Sequence, residues 1–267
     1  MNKLYERSEH KINNVSTDFK RGLIGSINRD ARLIGIRGAR GVGKTTLLLQ
    51  HLNSVRKNTD EILYVSLDNL WFAGHSLLDL ADDFEKKGGR YLYLDEVHKY
   101  PDWSMAIKNL YDDFPKLKIV FTGSSLLEIL NARADLSRRS VVYSMQGLSF
   151  REYLNMTLNR NFPIVSLHDL LKEHVEIARE INKVIRPLKY FPIYLKQGYY
   201  PFFTEGDDLY FQRMGEIANM IMEIELPLLR KMEIQYVPKI KQLLQVIAET
   251  APFIPNVSKL SEKIGIN

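Results

Sequence analysis

Short apolar runs of strand length alternate along the chain with segments whose apolar residues recur every three or four positions. That alternation predicts strands and covering helices of a parallel sheet. The runs are Leu33 to Ile36, Glu61 to Asp68, Tyr91 to Leu94, Leu117 to Thr122 and Val141 to Tyr143. Between them, Thr46 to Gln50 opens one helix, and a second spans Ser76 to Lys87 on Leu77, Leu80, Ala81 and Phe84, ended by Gly88-Gly89. Ile107, Leu110 and Tyr111 mark a third, entered through the turn at Pro101 and Trp103; a fourth starts at Leu126, with Ser125 and Glu128 spaced as a capping box. Ahead of the first strand, Phe19, Leu23, Ile24 and Ile27 predict an amphipathic helix over Ser16 to Asn28 behind a Ser16/Thr17 cap, expected to pack on the sheet, with bordering the base of a bound nucleotide as the alternative that its position alone suggests.

Chemistry enters where the first run gives way to Gly38-Ala39-Arg40-Gly41-Val42-Gly43-Lys44-Thr45-Thr46. Strand, glycine loop and helix in that order suit a phosphate cradle: glycines let backbone N–H groups converge on an anion, and the helix adds its positive end. Lys44 then reaches the β- and γ-phosphates, and the Thr45 hydroxyl completes the coordination of a Mg2+ ion. The third run ends in Asp95-Glu96, two carboxylates at the strand end where open parallel sheets bind ligands. Asp95 is placed to hold the metal through water, and Glu96 to polarise an attacking water. Thr122 and Ser124 follow the fourth run; the serine is explained by capping, and both positions equally suit sensing of a γ-phosphate. His98 reads as a group beside the site rather than a metal ligand, because no cysteine or second spaced histidine accompanies it. Arg133, Arg138 and Arg139 precede the fifth run, either solvated or presenting a finger to a neighbouring subunit's nucleotide.

At 267 residues the chain has room for one α/β domain and a smaller one. The absence of cysteine removes disulfides, thiolate metal sites and cysteine nucleophiles, and fits a reducing cytoplasm. Every apolar run is broken by charge or proline before membrane-spanning length, and the start is charged, so neither export nor a membrane is expected. A net charge of +5 is spread among 32 acidic residues, which lifts the case for nucleic acid only weakly.

In its P-loop, its Leu94-Asp95-Glu96-Val97-His98-Lys99, its Phe121-Thr122-Gly123-Ser124-Ser125 and its Leu148-Ser149-Phe150-Arg151-Glu152-Tyr153, the chain resembles prokaryotic ATPases of the AAA+ superfamily. More narrowly, it is similar to the family whose ATPase domain precedes a C-terminal domain of unknown function. The resemblance covers nearly the whole chain. It implies a three-layer αβα P-loop NTPase fold with a five-stranded parallel sheet of order 5-1-4-3-2, ATP rather than GTP, Glu96 as catalytic glutamate, Thr122 to Ser124 as sensor, and Arg139 at the finger position. Arg138 departs from the glycine common before that finger.

Ser149 and Glu152 form a capping box that opens a helical region, so the expected domains are 1–148, 149–239 and 240–267. The last carries an amphipathic helix from Ile240 to Ala248 and a shorter one from Val257 ending in a glycine turn, the first half of a helix-turn-helix or winged helix. A recognition helix would come next, which suggests a fragment of a longer protein. Two functions follow. One is Mg2+-dependent hydrolysis of ATP; the other is a nucleotide-dependent switch that binds ATP or ADP, turns over little and controls DNA or a protein partner through the C-terminal part. A small-molecule kinase fits less well, because the Asp95-Glu96 pair suits activation of water.

Overall fold

Five strands pair in parallel in the order β2-β3-β4-β1-β5: β1 (Leu33–Gly38), β2 (Ile62–Ser66), β3 (Tyr91–Asp95), β4 (Lys118–Gly123) and β5 (Val141–Met145). This is the expected order read from the opposite edge. The structure, a computed structural model, describes residues 2–55, 61–123, 136, 138–230, 232–250 and 254–265. The expected capping box at Ser125 and Glu128, the helix from Leu126, Ser124 and Arg133 lie outside those residues.

Alternate side chains of the inner strands go to opposite faces, as the two-residue strand period requires. Leu33, Leu63, Leu92, Leu94, Ile119 and Phe121 join one buried cluster beneath α3 (Leu77–Lys86) and α4 (Trp103–Asp113). Ile34, Ile36, Ile62, Tyr93 and Val120 join another beneath α2 (Lys44–Val55). Both faces are covered, which is why the strands read as nearly continuous apolar runs.

The helix expected over Ser16 to Asn28 is not there. Only a 3₁₀ turn, Gly22–Ser26, forms in that stretch, and an α-helix, α1 (Asn2–Asn14), lies earlier. Tertiary hydrogen bonds outcompete helical ones. The Gln50 carboxamide donates to the carbonyls of Ser16 and Phe19, both at 2.8 Å, taking acceptors that a helix would need for its own turns. Arg21 is extended (φ −67°, ψ 141°) and reaches into the core instead. α1 lies along the β2 edge: Leu4 joins the first cluster, Ile12 the second, and Ser8 Oγ between them accepts the Tyr64 N–H at 2.9 Å. A helix thereby covers an edge strand that would otherwise present unpaired backbone groups.

After β5 come α5 (Phe150–Leu158), α6 (Leu167–Val184) and α7 (Pro187–Gln197). Ser149 caps α5 in the expected box with Glu152. Tyr153, Tyr194, Phe150 and Phe203 pack around Leu148, and the Tyr199 carbonyl accepts the Leu148 N–H at 2.7 Å. Residues Met1–Gly206 form one compact unit and Asp207–Asn267 a second. The second contains α8 (Asp207–Met220), a π-helical stretch at Ile221–Glu225, α9 (Leu226–Arg230), α10 (Val237–Glu249) and α11 (Val257–Ile264). Asn256 caps α11 and Gly265 ends it at φ +65°, with Lys239 Nζ donating to the Ile264 carbonyl at 2.7 Å. Among the described residues, no helix is long and apolar enough to cross a membrane.

Candidate functional site

The loop from Gly38 to Gly43 joins β1 to α2 at the C-terminal edge of the sheet. Gly38 is pressed so closely on β5 that a Cβ would sit 2.3 Å from the Met145 carbonyl oxygen. Gly41 and Gly43 have φ of +84° and +93°, a region that costs any other residue energy. With those dihedrals the backbone curls, and α2 starts at Lys44, the Gly43 carbonyl accepting the Leu47 N–H at 3.0 Å. Lys44 is 5% exposed, and its ammonium donates to the carbonyls of Gly38 (3.1 Å) and Ala39 (2.9 Å). A buried cation is thus held inside a curled loop, where an anion is the complementary ligand.

Asp95 ends β3 beside the loop and is almost wholly buried. Its Oδ2 accepts from the Thr45 hydroxyl at 2.7 Å and the Tyr64 hydroxyl at 2.8 Å, and its Oδ1 accepts from the Thr122 hydroxyl. The next residue, Glu96, is left-handed (φ +53°), and its N–H donates to Thr122 Oγ1 at 3.1 Å. Lys44, Thr45, Asp95, Glu96 and Thr122 therefore converge at one sheet edge. Burial, opposed by Lys44 and reinforced by Asp95, pushes the Glu96 carboxyl above its ordinary value. His98 Nε2 lies 3.4 Å from Glu96 Oε2, and burial together with the charges of Lys99, Lys44 and Arg40 lowers its pKa to about 4. It is therefore a neutral imidazole at neutral pH. The donor set fits magnesium: a threonine hydroxyl and a carboxylate are hard oxygen ligands of the kind that bind a largely hydrated Mg2+.

Arg139 is not brought to this cluster. It pairs with Asp112, Nε to Oδ1 at 2.9 Å and Nη2 to Oδ2 at 3.0 Å, at the starting end of the strands. Because Val141 pairs with Ile34 and Met145 with Gly38, roughly 13 Å of strand separates that end from the loop.

Three buried polar residues that the sequence did not single out support the site. Arg21 donates to the carbonyls of Val42 (2.9 Å), Gln146 (2.7 Å) and Gly147 (2.8 Å), tying the phosphate loop to the segment after β5. Its Nε lies 3.2 Å from Glu152 Oε1, which also accepts the Gly22 N–H at 2.8 Å. Burial raises the Glu152 carboxyl, but the N–H groups of Ser149 and Gly22 and the Arg21 charge outweigh it and hold the group below its ordinary value. Gln50 is the second and Tyr64 the third. Gln50 was visible as a polar interruption of Leu47-Leu48-Leu49, the one local signal among them. A cavity of about 170 Å³ adjoins the loop, lined by Phe19, Arg21, Val42, Gly43, Thr46 and Met156 among others. Another, of about 480 Å³, lies between α1 and the end of β2, away from the loop.

Residues 30–154, just under half of the chain, match the family described as an AAA domain. No curated protein matches the chain by sequence. Among solved structures, the Walker-type ATPase PABY2304 of Pyrococcus abyssi is similar at 17% identity, covering 97% of this chain and 88% of its own, with a TM-score of 0.41. AMPPCP-bound DnaA from Aquifex aeolicus is similar at 18% identity over 60% of this chain and 57% of its own, with a TM-score of 0.39. The chain has an α/β P-loop NTPase-like fold, a five-stranded parallel sheet with its glycine loop after β1, followed by helices.

Proposed function

We propose that the chain binds ATP with Mg2+ and hydrolyses it to ADP and phosphate. The observation that carries this reading is the 2.7 Å bond from Thr45 to Asp95, which joins the phosphate loop to the acidic strand end beside a buried Lys44. In this reading the backbone from Gly38 to Thr46 cradles the phosphates and Lys44 neutralises the β- and γ-oxygens. Thr45 and Asp95 hold the metal, which when bound offsets phosphate charge and fixes phosphate geometry. Glu96, with its raised proton affinity, takes a proton from the attacking water, and Thr122, with Ser124 after it, reports on the γ-phosphate. The cavity beside Phe19 and Thr46 has room for the base. Arg139 acts in trans, on the nucleotide of a neighbouring copy in a homo-oligomer. We take 1–148 as the ATPase domain, 149–239 as a helical region and 240–267 as part of a winged helix through which DNA or a protein partner is engaged, in a prokaryotic cytoplasm.

One observation favours the switch reading: Glu96 is left-handed and lies against His98, an arrangement that restrains the carboxylate instead of leaving it to water. Calorimetry and phosphate release on wild type, Lys44→Ala and Glu96→Gln separate the two. Lys44→Ala is expected to weaken nucleotide binding by about 100-fold, a loss of charge-assisted bonds to phosphate. Glu96→Gln keeps binding and loses turnover by about 10² to 10³-fold. Binding without turnover in the wild type supports the switch, and folded wild type with no affinity for any purine nucleotide defeats both.

A further inference from the structure

Tyr64 is the one aromatic hydroxyl among the described residues that touches the acidic strand end. It sits on β2 directly beside β3, 3% exposed, with Ser66 in register with Asp95. Its hydroxyl donates to Asp95 Oδ2, the oxygen that also accepts from Thr45. Behind it, Lys11 of α1 donates from Nζ to the phenol oxygen at 3.4 Å and stands 5.0 Å from the ring centroid. An ammonium has only donors, so the phenol oxygen accepts on that side and its proton is left facing Asp95. Burial, followed by the charge of Asp95, holds the phenol above its ordinary value, so it stays a donor.

A carboxylate offers about four lone-pair directions. Hydroxyls from α2 (Thr45), β2 (Tyr64) and β4 (Thr122) occupy three, leaving roughly one for a metal-bound water. Three donors on three elements also prevent the group from rotating. Thr45 can keep its proton on Asp95 while giving a lone pair to the metal, so its bond survives metal binding.

We propose that Tyr64, steered by Lys11, is a positioning residue that presets the Asp95 carboxylate for the hydration shell of magnesium. This rests on the magnesium–nucleotide reading above. The test uses the full chain and a β,γ-methylene analogue of ATP, measuring analogue affinity by calorimetry across a Mg2+ titration and again in EDTA. Tyr64→Phe is expected to raise the Mg2+ concentration for half-saturation about tenfold, the usual cost of losing a partner behind a metal ligand. Its affinity in EDTA stays at the wild-type value, while the lost hydrogen bond to a buried carboxylate lowers the melting temperature modestly. In an Asp95→Asn background the same substitution adds nothing further, because its effect passes through that carboxylate.

An unchanged half-saturation in Tyr64→Phe overturns the proposal, as does an additive shift in the Asp95→Asn background. So does an equal fall in affinity in EDTA, which marks a purely structural tyrosine. Should Tyr64→Phe fail to fold, the exposed Lys11→Gln variant decides: a rise of about twofold supports the proposal and no rise overturns it. Wild type that binds the analogue with no dependence on Mg2+ defeats instead the reading on which the proposal stands.

Discussion

Arg21 ties together three stretches that are far apart in sequence: the segment before β1, the phosphate loop at Val42 and the turn at Gln146 and Gly147. Its charge is buried beside Glu152, so truncation orphans those carbonyls and takes from the carboxylate its nearer guanidinium, leaving Arg151 at 3.9 Å. Arg21→Met is expected to cost about 3 to 5 kcal/mol in urea unfolding, the range for breaking a buried pair from one side. Gly38→Ala is expected to weaken nucleotide binding, because the added methyl meets the Met145 carbonyl and displaces the loop; unaltered affinity would argue that β5 gives way instead. At this scale the phosphate loop was legible because its chemistry lies in consecutive residues. Arg21 and Tyr64 were not, since Arg21 pairs with Glu152 as well as with carbonyls up to 126 positions away, and the Tyr64 hydroxyl meets Lys11 53 positions away.

Among the elements, α1 best shows what local pattern misses. The first ten residues read simply as charged, yet Leu4, Ser8 and Ile12 recur every four positions and form the stripe that straddles the β2 edge. Leu4→Ala is expected to cost about 2 to 4 kcal/mol by chemical denaturation, the range for a large-to-small change in a core. Ser8→Ala, which strands the buried Tyr64 N–H, costs about 1 kcal/mol. The error over Ser16 to Asn28 has the same root. Apolar spacing there satisfies a helix, but Gln50 claims the Ser16 and Phe19 carbonyls, and propensity yields to tertiary hydrogen bonds.

For the whole molecule, acid is the condition under which stability changes most predictably. His51, 2% exposed and sharing a 2.9 Å hydrogen bond with the Tyr93 hydroxyl, has its pKa lowered to about 4 by burial and then by Arg29. His98 is lowered to about 4 as well. Unfolded histidine titrates near 6.5, so between that value and about 4 the unfolded chain binds more protons, and stability is lost as pH falls through the window. For His51 the full loss is about 3 kcal/mol. Glu152 is depressed in the folded state, so its contribution is complete above the unfolded carboxylate value and is lost at lower pH still. Melting temperature is expected to fall from pH 6.5 toward 4 and beyond, and His51→Leu to flatten the upper part of that slope; a level profile across the window would count against both histidines being buried neutral.

The residue string alone determined the alternation of strands and helices, the glycine loop with its lysine and threonine, and the carboxylates that end β3. Each of these depends on neighbours one to four positions away, the range over which backbone dihedrals and side-chain periodicity act. Folding in three dimensions decided that Thr45 meets Asp95, that Arg21 closes the loop from behind, that α1 seals the β2 edge and that Arg139 pairs with Asp112 at the far end of the strands. Those outcomes belong to buried polar groups, which must find partners wherever the packed chain brings them, and the linear order of residues carries no mark of where that will be.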